Sequence, residues 1–167
     1  MNNQTFWHGK PYYSLNAYCK NTYGEKLSKI ALNAGFTCPN RDGTLDRRGC
    51  IFCSGAGSGD FSMSLTSNQS MAHIIHSYLE QMTCQHPGNR YIGYFQAYTN
   101  TYASVDELMQ KYTAVLDFPK IAGISIATRP DCLPPEVLQL FQDLKQRYPD
   151  KFIWVELGLQ TIHEKTA

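Results

Sequence analysis

Cys38-Pro-Asn-Arg-Asp-Gly-Thr-Leu-Asp-Arg-Arg-Gly-Cys50-Ile-Phe-Cys53 places three cysteines in one loop. Eleven residues separate the first cysteine from the second, and two residues separate the second from the third. A Cys-x-x-Cys pair can present both sulfur atoms to one metal centre, and the Gly, Asp and Asn residues before it permit tight turns. Three thiolates suit zinc, which normally takes a fourth ligand in a structural site, or a [4Fe–4S] cluster, usually held by four cysteines.

A fourth ligand is absent from the sequence around this loop. The nearest other cysteines are Cys19 and Cys84, and no histidine occurs between Tyr12 and Met71. With three thiolates, one iron of a [4Fe–4S] cluster stays open for a small-molecule ligand. The sequence therefore favours an open cluster, and a zinc site completed by a remote ligand is the alternative.

The segment Cys50-Ile-Phe-Cys53, with an aromatic residue before its last cysteine, resembles the radical S-adenosylmethionine superfamily. The usual first spacing there is three residues. A spacing of eleven resembles the branch that contains the elongator catalytic subunit and a set of uncharacterised bacterial radical S-adenosylmethionine proteins, the set that matches best. The resemblance runs roughly from Lys29 to the C-terminus. Three further stretches support it, Tyr94–Tyr102, Ala127–Leu133 and Val155–Thr161.

Strands and helices are predicted to alternate along the chain. The predicted strands are Lys29–Phe36, Tyr91–Tyr98, Lys120–Ala127 and Phe152–Leu159. The predicted helices are Thr66–Met82, capped by Ser67 or Ser70, a helix from the capping box at Ser104 through Leu116, one from Pro134/Pro135 through Arg147, and a short one near Ser14–Asn21. This order predicts an α/β fold with parallel strands, and the resemblance makes it a partial (βα) barrel of about four units.

Two segments are expected, an N-terminal lead-in at residues 1–28 and a partial radical S-adenosylmethionine core at residues 29–167. A full eight-stranded barrel needs about 250 residues, and the superfamily core usually has six βα units. The core is therefore expected to be incomplete at its C-terminal end, with the fourth predicted strand at an uncovered edge. Residues 161–167 are predicted to begin another helix.

The resemblance implies the chemistry of the site. Cys38, Cys50 and Cys53 would ligate three irons, and the open iron would bind the amino and carboxylate groups of S-adenosylmethionine. An electron from the cluster would then cleave the sulfonium C–S bond reductively. The resulting 5′-deoxyadenosyl radical would abstract hydrogen from a substrate.

The same resemblance, and the position of polar side chains at strand ends, predicts contacts to S-adenosylmethionine. They are Phe52, Gln96, Thr99, Asn100, Thr128, Arg129, Glu156 and Gln160. Each has a structural alternative. Phe52 suits a core aromatic, Asn100 a turn, and Arg129 a surface position before a proline-bounded turn. Glu156 suits either ribose hydroxyls or an ion pair with a buried cation.

Composition limits the possible partners. The chain has 167 residues, 43% apolar and 17% charged, with a formal net charge of +1. This charge gives little electrostatic support for nucleic acid, although the elongator-like branch raises tRNA as a substrate class. No membrane partner and a cytoplasmic location are expected, and the resemblance implies an electron donor such as flavodoxin or ferredoxin. The alternative function is a truncated, non-catalytic iron–sulfur or zinc-binding module.

Overall fold

The structure is a computed structural model that describes residues 9–59, 63–64, 70–85, 90–163 and 165. Within these residues, the elements in chain order are α1 (Leu15–Tyr23), β1 (Ser28–Asn33), β2 (Met63–Ser64), α2 (Met71–Gln85), β3 (Tyr91–Phe95), α3 (Val105–Leu116), β4 (Ile121–Thr128), α4 (Pro135–Arg147) and β5 (Phe152–Leu157). A 3-10 turn, Pro130–Cys132, lies between β4 and α4. The four predicted strands and the four helices predicted before residue 161 are therefore confirmed with shifted ends, and the predicted start of the Thr66–Met82 helix lies outside the described residues. The cap predicted at Ser67 lies outside the described residues.

The strands form one parallel sheet in the spatial order β2-β1-β3-β4-β5. The four predicted strands, β1, β3, β4 and β5, lie side by side in chain order and are joined through α2, α3 and α4. The parallel α/β prediction is thus confirmed. β2 was not predicted, because a strand of two residues is too short to show a periodic pattern. Its residues pair with Leu32 and Asn33 of β1.

Helices α2, α3 and α4 cover one face of the sheet. The core on that face includes Leu32, Leu79, Tyr91, Phe95, Tyr112, Ile124, Ile126 and Leu140. β4 is buried along nearly its whole length, which explains why its sequence is apolar on both faces. The approach of α3 to β3 is close. A Cβ atom at Gly93 would lie 2.4 Å from a methyl group of Val115, so this position requires glycine.

Helix α1 packs on the other face of the sheet. The hydroxyl of Ser14 caps it by accepting a hydrogen bond from the amide of Ala17 at 3.1 Å. The ring of Tyr18 lies 5.8 Å from that of Trp154, which shows that this part of the lead-in covers β5. The short helix predicted here is confirmed, while the aromatic residues Phe6 and Trp7 lie outside the described residues.

Strand β5 is an edge of the sheet. It pairs with β4 and, within the described residues, with no other strand, so the predicted uncovered edge is confirmed there. Residues 161–163 are not helical, and the rest of the helix predicted at 161–167 falls largely outside the described residues. None of the helices in the described ranges is long and apolar enough to span a membrane.

Candidate cofactor site

The cysteine loop begins shortly after β1 and closes on itself through backbone hydrogen bonds. The carbonyl oxygen of Cys38 accepts a hydrogen bond from the amide of Arg41 at 2.8 Å. Near the other end, the amide of Gly49 donates to the carbonyl oxygen of Asn40 at 2.9 Å. The eleven residues between the first two cysteines therefore form a loop whose two ends are hydrogen-bonded to each other.

The Cys-x-x-Cys pair sits in a tight turn where the chain returns. The amide of Cys53 donates to the carbonyl oxygen of Cys50 at 3.0 Å. The side-chain amide of Asn40 donates to the sulfur of Cys50 at 3.2 Å, and the sulfur of Cys53 lies 3.7 Å from the hydroxyl oxygen of Ser58. Cys38 and these two cysteines are half-buried free thiols. All three sulfurs are thus available as ligands.

A cleft of about 600 Å³ opens between the cysteine loop and the carboxyl ends of the strands. All the predicted site residues except Asn100 line it, namely Cys38, Cys50, Phe52, Cys53, Gln96, Thr99, Thr128, Arg129, Glu156 and Gln160. Carboxyl ends of parallel strands meet at one edge of a sheet, where α/β proteins usually bind ligands. The arrangement brings together side chains that are more than 100 residues apart in the sequence.

Asn100 lies beneath the cleft and joins two strands. Its side-chain amide donates to the carbonyl oxygens of Phe95 and Ala127, at 3.1 and 2.8 Å. The backbone carbonyl oxygen of Asn100 accepts a hydrogen bond from the buried hydroxyl of Tyr112. Burial raises the pKa of Tyr112, which keeps this phenol protonated as a donor. Asn100 lies in a turn after β3, as its alternative role predicts, and its contact with S-adenosylmethionine stays a prediction.

Gln96, Thr99 and Phe52 occupy different depths of the cleft. The side-chain amide of Gln96 donates to the carbonyl oxygen of Ser58 at 2.8 Å, which ties the end of β3 to the loop after the cysteines. Thr99 is buried, and its amide donates to the carbonyl oxygen of Thr37. Phe52 is 60% exposed, so its alternative role as a core aromatic is wrong.

Arg129 already has a carboxylate partner within the chain. Its guanidinium group donates two hydrogen bonds to Asp131, at 2.9 and 2.7 Å. These bonds hold the pKa of Asp131 below its usual value, so the pair is ionised near neutral pH. The neighbouring Thr128 is within hydrogen-bond distance of Thr101, at 2.6 Å. A ligand carboxylate at Arg129 would share the guanidinium with Asp131.

Glu156 forms an ion pair with Lys29 and accepts a hydrogen bond from Ser125. Burial raises the pKa of Glu156, but the hydrogen bonds from Lys29 and Ser125 outweigh burial and hold the pKa below its usual value. Burial and the adjacent carboxylate raise the pKa of Tyr94, whose ring lies 4.0 Å from the ammonium group of Lys29. The structure shows the ion pair of the alternative role of Glu156, but the cation is the exposed Lys29 and not a buried one. Glu156 also lines the cleft.

Gln160 and the remaining cysteines add less to the site. Gln160 lines the cleft with a left-handed backbone, at φ +63°. Cys19 and Cys132 are buried and Cys84 is exposed, as free thiols. Burial raises the pKa of the Cys132 thiol.

The donor set fits a cluster. Within the described ranges, no three His, Cys, Asp or Glu side chains converge as ligands of one metal ion. The three thiols of the cysteine loop instead line one cleft. In a [4Fe–4S] cluster each thiolate binds a different iron atom, so its ligands surround a volume. Three free thiols that line one cleft are donors of the type that an iron–sulfur cluster takes.

Sequence reasoning missed Lys29 and Arg41. Lys29 is the one charged residue of β1, as Glu156 is of β5, so two opposite charges in otherwise uncharged strands were a usable signal. Arg41 gave no such signal, because the same loop also contains Arg47 and Arg48, and the sequence does not show which arginine binds the loop backbone. Only its contacts distinguish it.

Comparison with known proteins identifies relatives. No protein-family model matches the chain. The chain is 47% identical to "Uncharacterized protein YtqA" of Bacillus subtilis, over 95% of its own length and 48% of that protein. It is 41% identical to "Protein YhcC" of Escherichia coli and 32% identical to "Uncharacterized protein MJ0486" of Methanocaldococcus jannaschii, over 86% and 89% of its length and 44% of theirs. The protein is therefore homologous to these proteins and spans about half their length.

Proposed function

We propose that the cleft binds a [4Fe–4S] cluster through Cys38, Cys50 and Cys53, with S-adenosylmethionine at the open iron. The reduced cluster would supply the electron that cleaves the sulfonium C–S bond of S-adenosylmethionine, so that methionine leaves and a 5′-deoxyadenosyl radical is formed for hydrogen abstraction. The observation that carries this proposal is one shared cleft, lined by three free thiols of one loop and by polar side chains from the ends of β3, β4 and β5.

The chain's own residues would orient S-adenosylmethionine in distinct ways. Glu156 is held ionised by Lys29 and offers an acceptor for ribose hydroxyls. Arg129 offers a guanidinium to the carboxylate, and Thr128 and Gln160 line the cleft beside it. Gln96 and Thr99 line the cleft after the end of β3 and would contact the methionine amine. Phe52 places an exposed aromatic ring at the cleft for the adenine.

The partners of this proposal follow from the resemblance. An electron donor such as flavodoxin or ferredoxin would reduce the cluster. tRNA is the substrate class that the elongator-like branch raises, and the net charge of +1 gives it little electrostatic support. The homologues extend well beyond the matched segment.

Anaerobic reconstitution with iron and sulfide, followed by EPR spectroscopy of the reduced protein, tests the proposal. We expect a [4Fe–4S]⁺ signal that changes when S-adenosylmethionine is added. Single Cys→Ser variants at the three loop positions should abolish the signal, whereas Cys84→Ser, at an exposed thiol, should leave it unchanged.

Two results would contradict the proposal in different ways. Bound zinc without a cluster would identify a zinc-binding module. A cluster whose EPR signal does not change when S-adenosylmethionine is added would identify a non-catalytic iron–sulfur module, which is the alternative function.

A further inference from the structure

Arg41 of the cysteine loop donates hydrogen bonds to the backbone of residues 53–55, the segment that begins with the third cysteine. The Nη2 atom of Arg41 donates to the carbonyl oxygen of Cys53 at 3.0 Å and also to that of Ser54. Its Nη1 atom reaches the carbonyl oxygen of Gly55 at 3.4 Å. One guanidinium group therefore binds three consecutive carbonyl groups, beginning at a proposed ligand.

Tyr98, after the end of β3, holds the same segment from another side. Its hydroxyl donates to the carbonyl oxygen of Gly55 at 3.1 Å, and its amide donates to that of Gly57 at 2.9 Å. The guanidinium carbon of Arg41 lies 5.7 Å from the centre of the Tyr98 ring, within the range of a cation–π contact. The segment after Cys53 is thus fastened both to its own loop and to the sheet.

Two glycines make room for these contacts. A Cβ atom at position 49 would lie 2.8 Å from the Nε atom of Arg41, and one at position 57 would lie 2.4 Å from the Tyr98 ring. Both residues also have positive φ angles, +76° for Gly49 and +65° for Gly57, which glycine adopts without strain. The backbone therefore leaves space for the arginine and the tyrosine at the points where each packs.

We propose that Arg41 is a positioning residue, which fixes Cys53 relative to Cys38 and Cys50 through the carbonyl groups of residues 53–55. It neither ligates metal nor contacts substrate in this role. Its planar, forked donors suit several acceptors at once, which the single ammonium group of lysine does not match. The value of this positioning for a cluster rests on the proposed function, but the contacts themselves belong to the chain.

The first test uses the apoprotein and needs no cluster. The alkylation rate of each cysteine under anaerobic conditions would be measured by peptide mass spectrometry in the wild type, Arg41→Gln and Arg41→Lys. Arg48→Gln is the matched control, because Arg48 lies in the same loop, is 88% exposed and pairs with Asp46. Alkylation at Cys84, whose thiol is exposed, serves as the internal reference.

We expect Arg41→Gln to raise the alkylation rate of Cys53 about tenfold relative to Cys38, because charge-assisted hydrogen bonds that hold it are lost. Arg41→Lys should restore part of the difference, and Arg48→Gln should change nothing. Equal acceleration at all three loop cysteines would indicate general loosening and overturn the proposal. Unchanged rates in Arg41→Gln would also overturn it.

A second variant keeps the test decisive if Arg41→Gln fails to fold. Tyr98→Phe removes the hydrogen bond to Gly55 and keeps the ring, so we expect a smaller rise, about threefold, at Cys53. An unchanged alkylation rate at Cys53 in Tyr98→Phe would contradict the inference that Tyr98 helps to hold residues 53–55 in place.

The reconstituted protein supplies an independent readout. Arg41→Gln should lower the reduction potential of the cluster relative to Arg48→Gln, because a positive charge beside Cys53 is removed. An equal potential in the two variants would overturn the cofactor part of the proposal. If the wild type binds no cluster, the proposed function fails, while the alkylation rates still decide the role of Arg41.

Discussion

The two walls of the cleft are held in different ways. On the sheet side, β4 is buried along most of its length, and its isoleucines pack among helices α3 and α4. On the loop side, the large apolar side chains Leu45, Ile51 and Phe52 are all exposed. Hydrogen bonds to backbone carbonyl groups hold that wall instead.

This difference separates stability from ligand geometry. Burial of apolar area is non-directional and supplies most of the folding free energy, so the sheet wall and the fold depend on the same contacts. Hydrogen bonds are directional and add a modest net free energy each. A substitution in the loop should therefore displace a thiol at little cost in stability, and one in the sheet should lower the free energy of unfolding.

The largest effect should come from a core deletion in the sheet wall. Ile124→Ala removes a fully buried side chain and should lower the free energy of unfolding by about 2–5 kcal/mol in urea titrations. The matched loop variant Leu45→Ala, at 62% exposure, should change it by less than about 0.5 kcal/mol. Similar losses in the two variants would remove the distinction between the walls.

Asn100→Ala sharpens the comparison at the boundary between site and scaffold. It removes the side-chain donor to the carbonyl groups of Phe95 and Ala127, although the carbonyl of Ala127 keeps the backbone amide of residue 100 as a donor, so we expect a loss of about 1–3 kcal/mol in the free energy of unfolding. Gln139→Ala, which removes an exposed hydrogen bond to Asp143, is the control and should have little effect. Stability equal to wild type, with weaker S-adenosylmethionine binding, would instead assign Asn100 to the ligand.

A pair of glycine substitutions compares the walls with the same chemical change. Gly93→Ala forces a methyl group against Val115, a stiff β-branched residue, and should cost about 1–3 kcal/mol of stability. Gly55→Ala, where no atom lies within 4 Å of the new Cβ, should shift the thermal midpoint by only a degree or two. A well-tolerated Gly93→Ala would show that α3 can move away from β3.

The smallest effect should come from the ion pair between Lys29 and Glu156. Lys29→Met removes the partner of Glu156 and should cost about 1 kcal/mol or less at pH 7, because the two side chains are 31% and 41% exposed. The pKa of Glu156 lies below its usual 4.5 in the wild type, so the stabilisation is complete above pH 4.5.

The same stabilisation is lost as pH falls through the lowered pKa of Glu156 in the folded state. The stability difference between wild type and Lys29→Met should therefore shrink below pH 4.5 in urea titrations across pH. Lys26→Met, at an exposed lysine, should show no such pH dependence of its difference from wild type. A gap that stays constant below pH 4.5 would contradict the assigned ionisation.

The sequence predicted the sheet wall better than the loop wall. Long apolar runs such as Ile121–Thr128 identify a strand whatever its neighbours, and parallel topology then places the strand ends together. The partners of individual side chains depend on register and loop path. For that reason the Arg129–Asp131 and Lys29–Glu156 pairs appeared only in the structure.

For the cysteines, the sequence predicted the group of ligands but not the residues that orient them. Their spacing identified Cys38, Cys50 and Cys53 as one group, because clustered thiols at short intervals are uncommon without a ligand role. The contacts that orient them come from Asn40 and Arg41, ordinary polar residues in a polar loop. No periodicity or composition marks such residues, since their role depends on a three-dimensional path of the backbone.

The ion pair between Lys29 and Glu156 also bears on the order of folding. It joins the first long strand to the last, residues 127 positions apart, with β3 and β4 between them. Contacts of such sequence separation carry a large loop-closure entropy until the intervening strands have assembled. We expect the pair to form after the transition state, so that in stopped-flow kinetics Lys29→Met accelerates unfolding and leaves the refolding rate unchanged.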